Sequence, residues 1–330
     1  VQSPVRNERP EDGRIPNLIG HSAAFRRTVE LIQRIARFDV PVLIAGETGT
    51  GKELAARAIH YLSSRRPAPF VPLNCGALPD TLAESELFGC ERGAFTDARD
   101  RRPGIISAAE GGTLLLDEVD SLPVRAQSSL LRFLQDRTYR PLGGTREKIG
   151  DVRVIAAAGP RLASLVHSGQ FRADLAFRLD VVTIAMPPLR ERRGDALLLV
   201  NHFVRRYARQ YGIEPRPIDA ATADWVDRYD WPGNVRELEN LVLRRMLLGS
   251  APELSLVPDA EEPRDERKGL SLYRVAREAM LDAWERGYLS EVLARAGGNV
   301  TRAAEIAGKE RRALGKLLKK HGLDRRAFSA

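Results

Sequence analysis

The stretch Val40-Pro-Val-Leu-Ile-Ala45, running into Gly46-Glu47-Thr48-Gly49-Thr50-Gly51-Lys52-Glu53, decides the fold. An apolar run of strand length opens onto a glycine-rich turn, and a helical pattern follows over Glu53–His60. Strand, glycine loop and helix in that order are what a phosphate-binding P-loop needs. The glycines let backbone N–H groups curl around an anion, and the helix start adds partial positive charge. Lys52 is the mobile cation of such a loop, placed for β- and γ-phosphates. Glu53 stands where the general motif has Ser or Thr, so the usual hydroxyl ligand for Mg²⁺ is absent. On this motif alone, a glycine turn without a ligand is the competing reading.

A second motif answers the first. Thr113-Leu-Leu-Leu-Asp117-Glu118 is an apolar strand ending in two carboxylates. Asp117 at the strand end can hold Mg²⁺ through water, and Glu118 can polarise an attacking water. A buried strand that merely ends in solvated acids is the alternative, and the paired P-loop argues against it.

Outward from these motifs, apolar runs at Val40–Ala45, Phe70–Asn74, Thr113–Leu116, Val152–Ala157 and Val181–Ala185 alternate with helical patterns. That alternation predicts an α/β unit with a parallel sheet over 15–184. After Pro187-Pro188, helices are expected over Ala196–Tyr211, Ala220–Tyr229 and Val235–Leu248, which makes 185–250 a helical subdomain. Residues 1–14 are polar and read as a leading linker. Residues 251–269, rich in proline and charge, read as a second linker. No repeat at solenoid period is present.

The last part, 270–330, is helical and basic. Leu289, Val292, Leu293 and Ala296 recur at helical spacing before Gly297-Gly298 stops the helix. Asn299 suits an N-cap for Val300–Ala307, Gly308 sits in a short turn, and Glu310–Lys320 follows as another helix. Two short helices joined by such a turn make a helix-turn-helix. Arg302, Arg311, Arg312, Lys316 and Lys319 would face DNA. Residues 300–326 carry nine Lys or Arg against three acids, which favours a phosphate footprint over a merely solvated helix.

Composition agrees. The 330 residues carry a formal net charge of +8, and the basic balance leans toward polyanionic partners. Two cysteines, Cys75 and Cys90, make neither a disulfide framework nor a zinc site and fit a reducing cytoplasm. No apolar run has membrane-span length and no signal peptide opens the chain. The chain starts at Val1, which leaves room for an upstream regulatory domain in a longer protein.

Residues 15–250 resemble the central AAA+ domain of the bacterial enhancer-binding proteins, the sigma-54-dependent activators. The resemblance rests on Leu18-Ile19-Gly20-His-Ser22, the 46–53 loop, Phe70–Cys75, Glu84–Gly89, Gly93-Ala94-Phe95-Thr96-Asp97-Ala98, Gly111–Glu118 and Trp231–Asn240. The C-terminal part resembles the Fis-type module that ends many of these proteins. In that family an acidic residue follows the P-loop lysine, as Glu53 does here.

What the resemblance implies is specific. ATP and Mg²⁺ are the expected cofactors, and the chain is expected to be an ATPase. Ile19 and Gly20 are placed with the nucleotide-binding residues. Asn74 matches the switch residue that pairs with Glu118. Arg172 and Arg178 match the arginine-finger region, although as bare sequence they read as surface arginines; fingers imply a homo-oligomer, from dimer to hexameric ring. Arg236 matches a nucleotide-sensing arginine of the lid. The 93–98 loop, which as bare sequence reads as a surface loop with Phe95 folded inward, matches the sigma-54 contact, with Asp97 in place of a glycine. The partners implied are sigma-54 RNA polymerase and enhancer DNA, an inverted repeat.

Two further departures stand out. After the fourth strand the family has Thr-Asn, and this chain has Ala158-Gly159, which puts the sensor role there in doubt. Gly315 replaces a larger residue, at a cost of up to about 1 kcal/mol of helix stability. The competing functions are an ATPase-impaired DNA-binding repressor and an AAA+ machine with another client.

Overall fold

The computed structural model describes residues 18–93, 102–249 and 253–257, and within the C-terminal part 288, 289, 292–294, 296, 299–307, 314, 315, 317, 318 and 321. The chain divides into two compact units, 1–257 and 258–330.

The first unit is built on a parallel five-stranded sheet. Its strands are β1 (Val42–Ala45), β2 (Phe70–Asn74), β5 (Thr113–Asp117), β8 (Arg153–Ala158) and β9 (Thr183–Ala185), in the order β2-β5-β8-β1-β9. The two-residue strands β3 (Gly89–Cys90) and β4 (Arg102–Pro103) pair antiparallel, as do β6 (Thr138–Tyr139) and β7 (Lys148–Ile149). The central strands read as continuous apolar runs because both sheet faces are covered. Leu114, Leu116, Val154, Ala156 and Ala158 join one core, while Val42, Ile44, Leu115, Ile155 and Ala157 join the other. Each fully buried Leu or Ile of this set contributes about 1.5–3 kcal/mol of hydrophobic stabilisation.

Helices α1 (Ala23–Ala36) and α2 (Lys52–Tyr61) supply buried residues to the second core, including Phe25, Ile32, Ala55 and Ile59. Ser22 caps α1, its Oγ accepting from Phe25 N at 3.3 Å. The first core takes residues from α3 (Ala83–Phe88), α4 (Ile105–Ala108), α5 (Val124–Asp136) and α7 (Ala173–Leu179), with α6 (Leu162–His167) packed alongside.

Strand limits differ from expectation by one or two residues. Strand β8 runs one residue later than the expected Val152–Ala157, and its first residue, Arg153, is buried. Its guanidinium donates to the Ile35 and Ala36 carbonyls at 3.1 Å each, satisfying the end of α1. Strand β1 starts at Val42, after Pro41, whose nitrogen has no hydrogen to donate to a ladder.

The helical part holds α8 (Asp195–Tyr211), α9 (Ala220–Arg228) and α10 (Asn234–Leu248) around Val200, Phe203, Val226, Trp231, Leu238 and Val242. Trp231 is fully buried, and its indole N–H donates to the Val226 carbonyl at 3.0 Å. The linker expected from residue 251 begins later, because Leu254 and Leu256 are buried in this core. Leu254 N donates to Pro217 O at 2.8 Å and Leu256 N to Thr222 Oγ1 at 2.9 Å. The alternation of two leucines was masked by the proline and charge around it.

In the second unit, α11 (Val300–Ile306) is capped by Asn299, whose Oδ1 accepts from Thr301 N at 3.0 Å and Arg302 N at 3.3 Å. Leu289, Val292, Leu293, Ala296, Ala303, Ala304, Leu314 and Leu318 form a small core. The helical spacing that singled out the first four therefore marks a buried face.

Candidate nucleotide site

The glycine loop lies between β1 and α2, at the carboxyl end of the sheet. Gly49 (φ 80°) and Gly51 (φ 95°) take left-handed conformations that favour glycine. A Cβ on Gly49 would stand 2.2 Å from the Gly233 carbonyl, so the loop and the start of α10 meet backbone to backbone. Thr50 Oγ1 donates to Glu47 O at 2.8 Å and pins the turn. Lys52 Nζ donates to the Gly46 and Glu47 carbonyls at 2.8 and 3.0 Å.

These groups open onto a cavity of about 450 Å³, lined by Thr48–Glu53, Asp117, Glu118, Asp120 and Arg236, with Leu18 and Ile19 toward one side. Burial lowers the Lys52 ammonium pKa, and the carboxylates of Asp117, Asp120 and Glu118 counter it. Gly20 does not line the cavity. It packs where a Cβ would fall 2.5–2.6 Å from Phe25, Arg192 and Asp195. Glu53 lines the cavity but also pairs with Arg57 one turn on, at 2.7 Å.

The paired acids end β5. Asp117 Oδ1 accepts from Glu118 N at 3.0 Å, and Glu118 takes a left-handed φ of 52°. Strained backbone of this kind persists where the surroundings over-determine it. Asn74 sits opposite Asp117 in the β2–β5 register. Its Oδ1 accepts from Ala77 N at 3.1 Å. Glu118 is close by: a Cβ on Gly76 would lie 2.4 Å from Glu118 Oε2 and 3.3 Å from Asn74 Oδ1. Asn74 and Glu118 are thus neighbours without a direct hydrogen bond among the described residues. Burial, then the charges of Asp117, Asp120 and Glu118, push the neighbouring Cys75 thiol up to about 12. Cys75 and Cys90 are both buried free thiols.

Among the described residues no cluster of three or more His, Cys, Asp or Glu could hold a metal alone. Mg²⁺ bound with a nucleotide needs only one or two carboxylates, the rest coming from phosphates and water. Asp117 lines the cavity together with Lys52 and could serve as such a carboxylate.

Arg172 and Arg178 do not line this cavity. Arg172 pairs with Asp174 at 2.7 Å and Arg178 donates to the Leu134 carbonyl at 3.4 Å. Gly93 is left-handed with open space around it, and Ala94, Phe95, Thr96, Asp97 and Ala98 lie outside the described residues. The β3–β4 ribbon brackets that segment. Arg302 is exposed on α11, and Arg311, Arg312, Lys316 and Lys319 lie outside the described residues.

Two polar clusters escaped the sequence. The first joins the loop to the helical part: Arg190 holds the Glu47 carboxylate at 2.6 and 2.9 Å, and Asn234 Nδ2 donates to Glu47 Oε2 and Thr48 O at 3.1 Å. Hydrogen bonds from Arg190 and Asn234 bring the Glu47 carboxyl down to about 2. The second is buried. Asp195 accepts from His21 N, Ser22 N, Ser22 Oγ and Arg192 Nε at 2.7–3.0 Å, while Arg192 Nη2 donates to Ile19 O at 2.6 Å. Burial alone would raise the Asp195 carboxyl, but these bonds outweigh it and the net shift is downward. No spacing rule points to either cluster, since the partners are 143 to 187 residues apart in the first and up to 174 in the second.

A parallel sheet, a glycine loop, paired acids at the next strand end and a helical part closing on the loop define a P-loop ATPase domain of the AAA+ type. The sigma-54 interaction domain matches residues 18–185, the AAA+ ATPase lid domain 190–262, and the Fis-family bacterial regulatory domain 281–321. The chain belongs to the family of sigma-54-dependent transcriptional regulators. The C4-dicarboxylate transport transcriptional regulatory protein DctD of Pseudomonas aeruginosa is 44% identical over 307 residues, covering 93% of this chain and 64% of that protein. The regulatory protein AtoC of Escherichia coli K12 is 40% identical over 314 residues, covering 93% and 68%. The chain thus spans under two thirds of DctD. The crystal structure of NtrX from Brucella abortus in complex with ATP shares 36% identity and a TM-score of 0.69, over 93% of this chain and 70% of that one. No helix among the described residues is long and apolar enough to cross a membrane.

Proposed function

We propose that the chain binds ATP in the Lys52–Asp117 cavity, hydrolyses it between copies of itself, and uses the motion to remodel sigma-54 RNA polymerase at promoters chosen by its C-terminal domain. The observation that supports this most is the convergence of Lys52, Asp117, Glu118 and the lid residue Arg236 on one cavity. Residues 15–184 carry the chemistry, the lid follows to 257, and 270–330 reads DNA, with Arg302, Arg311, Arg312, Lys316 and Lys319 as its contacts. NtrX bound to ATP supports a nucleotide here.

Lys52 holds the β- and γ-phosphates, and Glu118 takes a proton from the attacking water. The water oxygen bonds to the γ-phosphorus as the bond to the bridging oxygen breaks, its electron pair leaving with ADP. Mg²⁺, when held by Asp117, neutralises phosphate charge. Arg172 and Arg178, which do not line their own cavity, serve a neighbouring copy in a ring, probed by its assembly with nucleotide. Asn74 relays the state of Glu118 toward the 93–98 loop, where Phe95 and Thr96 meet sigma-54. Such a machine works in the cytoplasm.

The test separates hydrolysis from coupling. Thr96→Ala is expected to hydrolyse ATP near the parent rate yet fail to open sigma-54 promoter DNA. A parent protein that hydrolyses ATP and binds DNA but opens no such promoter overturns the polymerase reading in favour of another client. A parent without turnover favours the repressor.

A further inference from the structure

Strand β8 ends without a polar side chain beside the nucleotide cavity. The strand ends at Ala158, which is buried in the first core, and Gly159 follows it at the nucleotide cavity; neither can hold a water molecule through a side chain. A polar side chain reaches Gly159 from another element. Asp120, on the 3₁₀ turn Val119–Ser121 that follows Glu118, accepts a hydrogen bond from Gly159 N at 3.3 Å through Oδ1. Its second oxygen lies 3.6 Å from where a Cβ on Gly159 would stand. Asp120 and Gly159 line the same cavity as Lys52, Asp117 and Glu118.

We infer that Asp120 is a water-positioning residue for hydrolysis, supplying from the turn after β5 the polar contact that the end of β8 does not make. This rests on the ATPase reading above. Gly159 N fixes one carboxylate oxygen, which leaves the other to accept a hydrogen bond from the attacking water. Glu118 receives one proton of that water as its oxygen bonds to the γ-phosphorus and the pair of the broken bond departs with ADP. Asp120 orients the remaining O–H and takes no proton. Two acceptors on one water fix its lone pair toward phosphorus, which is the orientation that in-line attack requires. The charge of Asp120 is tolerated because Lys52 lies within its field, where Asp120 follows Asp117 in supporting the ammonium.

The geometry also supplies a rescue. Gly159 is not left-handed, and a Cβ there meets nothing nearer than 3.6 Å. Asparagine at 159 therefore fits, and more easily once the Asp120 carboxylate is removed. Asp120→Ala is expected to lower kcat for ATP on the order of 10- to 100-fold, with KM changed by no more than about threefold. The double variant Asp120→Ala/Gly159→Asn is expected to regain about tenfold of that loss. Melting temperature within about 3 °C of the parent, and trapping of ADP–aluminium fluoride weakened in the single variant and restored in the double, accompany these rates. Parent-like kcat in Asp120→Ala, a double variant no faster than the single, or a large fall in melting temperature overturns the assignment; the last makes the Gly159 contact structural. A parent that neither turns over ATP nor traps the analogue overturns the ATPase reading itself, and this inference with it.

Discussion

Asn234 ties the lid to the phosphate loop: its Nδ2 lies 3.1 Å from the Glu47 carboxylate, across 187 residues of sequence. The same amide donates to Thr48 O, and its Oδ1 accepts from Leu189 N at 2.8 Å, so one buried side chain serves three partners. Its left-handed φ of 53° is held by that network. Asn234→Ala is expected to destabilise the protein by about 1–3 kcal/mol, because Leu189 N is left buried without an acceptor. Nucleotide affinity should fall with it, since the loop loses its brace. Urea denaturation and a fluorescent-nucleotide titration check both, and unchanged stability would contradict the brace.

Glu47 gives this brace a pH dependence. Its carboxyl lies at about 2 in the folded chain against 4.5 as its ordinary value. A depressed carboxyl stabilises fully above its ordinary value and loses that contribution as pH falls from 4.5 toward about 2. The melting-temperature gap between the parent and Glu47→Gln should therefore be flat near neutrality and narrow across that acid window. A gap unaltered down to the lower limit would show that the carboxylate charge does not matter.

Hydrolysis and binding should separate by residue. Lys52→Ala removes the cation nearest the loop carbonyls and is expected to abolish ATP binding. Glu118→Gln should bind ATP yet lose turnover by a factor on the order of 10² or more, since an amide cannot take the proton. Isothermal titration beside a phosphate-release assay decides; equal loss of binding in both would merge the two roles.

The buried Arg192–Asp195 pair should be the costliest to break. Its side chains are 3% and 0% exposed. Asp195→Ala leaves a buried guanidinium and the His21 and Ser22 donors uncompensated, and is expected to cost about 3–5 kcal/mol. Asp195→Asn, which keeps an acceptor, should cost less. Chemical denaturation of both variants tests the order.

Much of this was legible in the sequence because it is local. The glycine loop, the acids after Thr113–Leu116 and the buried face at Leu289–Ala296 each declare themselves within a dozen residues. The bare spacing of Asn299 before Val300 predicts a cap, and the cap is there. What spacing cannot carry is contact across the chain. Glu47 looks like one more loop residue until Arg190 and Asn234 close on it. Asp120 looks like a solvated acid until the turn brings it against Gly159. Leu254 and Leu256 sit among prolines and charges, so composition assigned them to a linker although alternating burial ties them to the lid.

The backbone contact between Gly49 and the start of α10 has a mechanical consequence. Val235 N donates to Gly49 O at 3.1 Å, so the first turn of that helix is fastened to the loop that grips phosphate. The helix has 15 residues. At the usual rise it is a lever arm of about 22 Å, and a tilt of about 10° at the fastened end swings the other by about 4 Å. Leu248 stands at that tip, 80% exposed. A small tilt of the fastened turn would thus be read out as a larger displacement of an apolar tip far from the glycine loop.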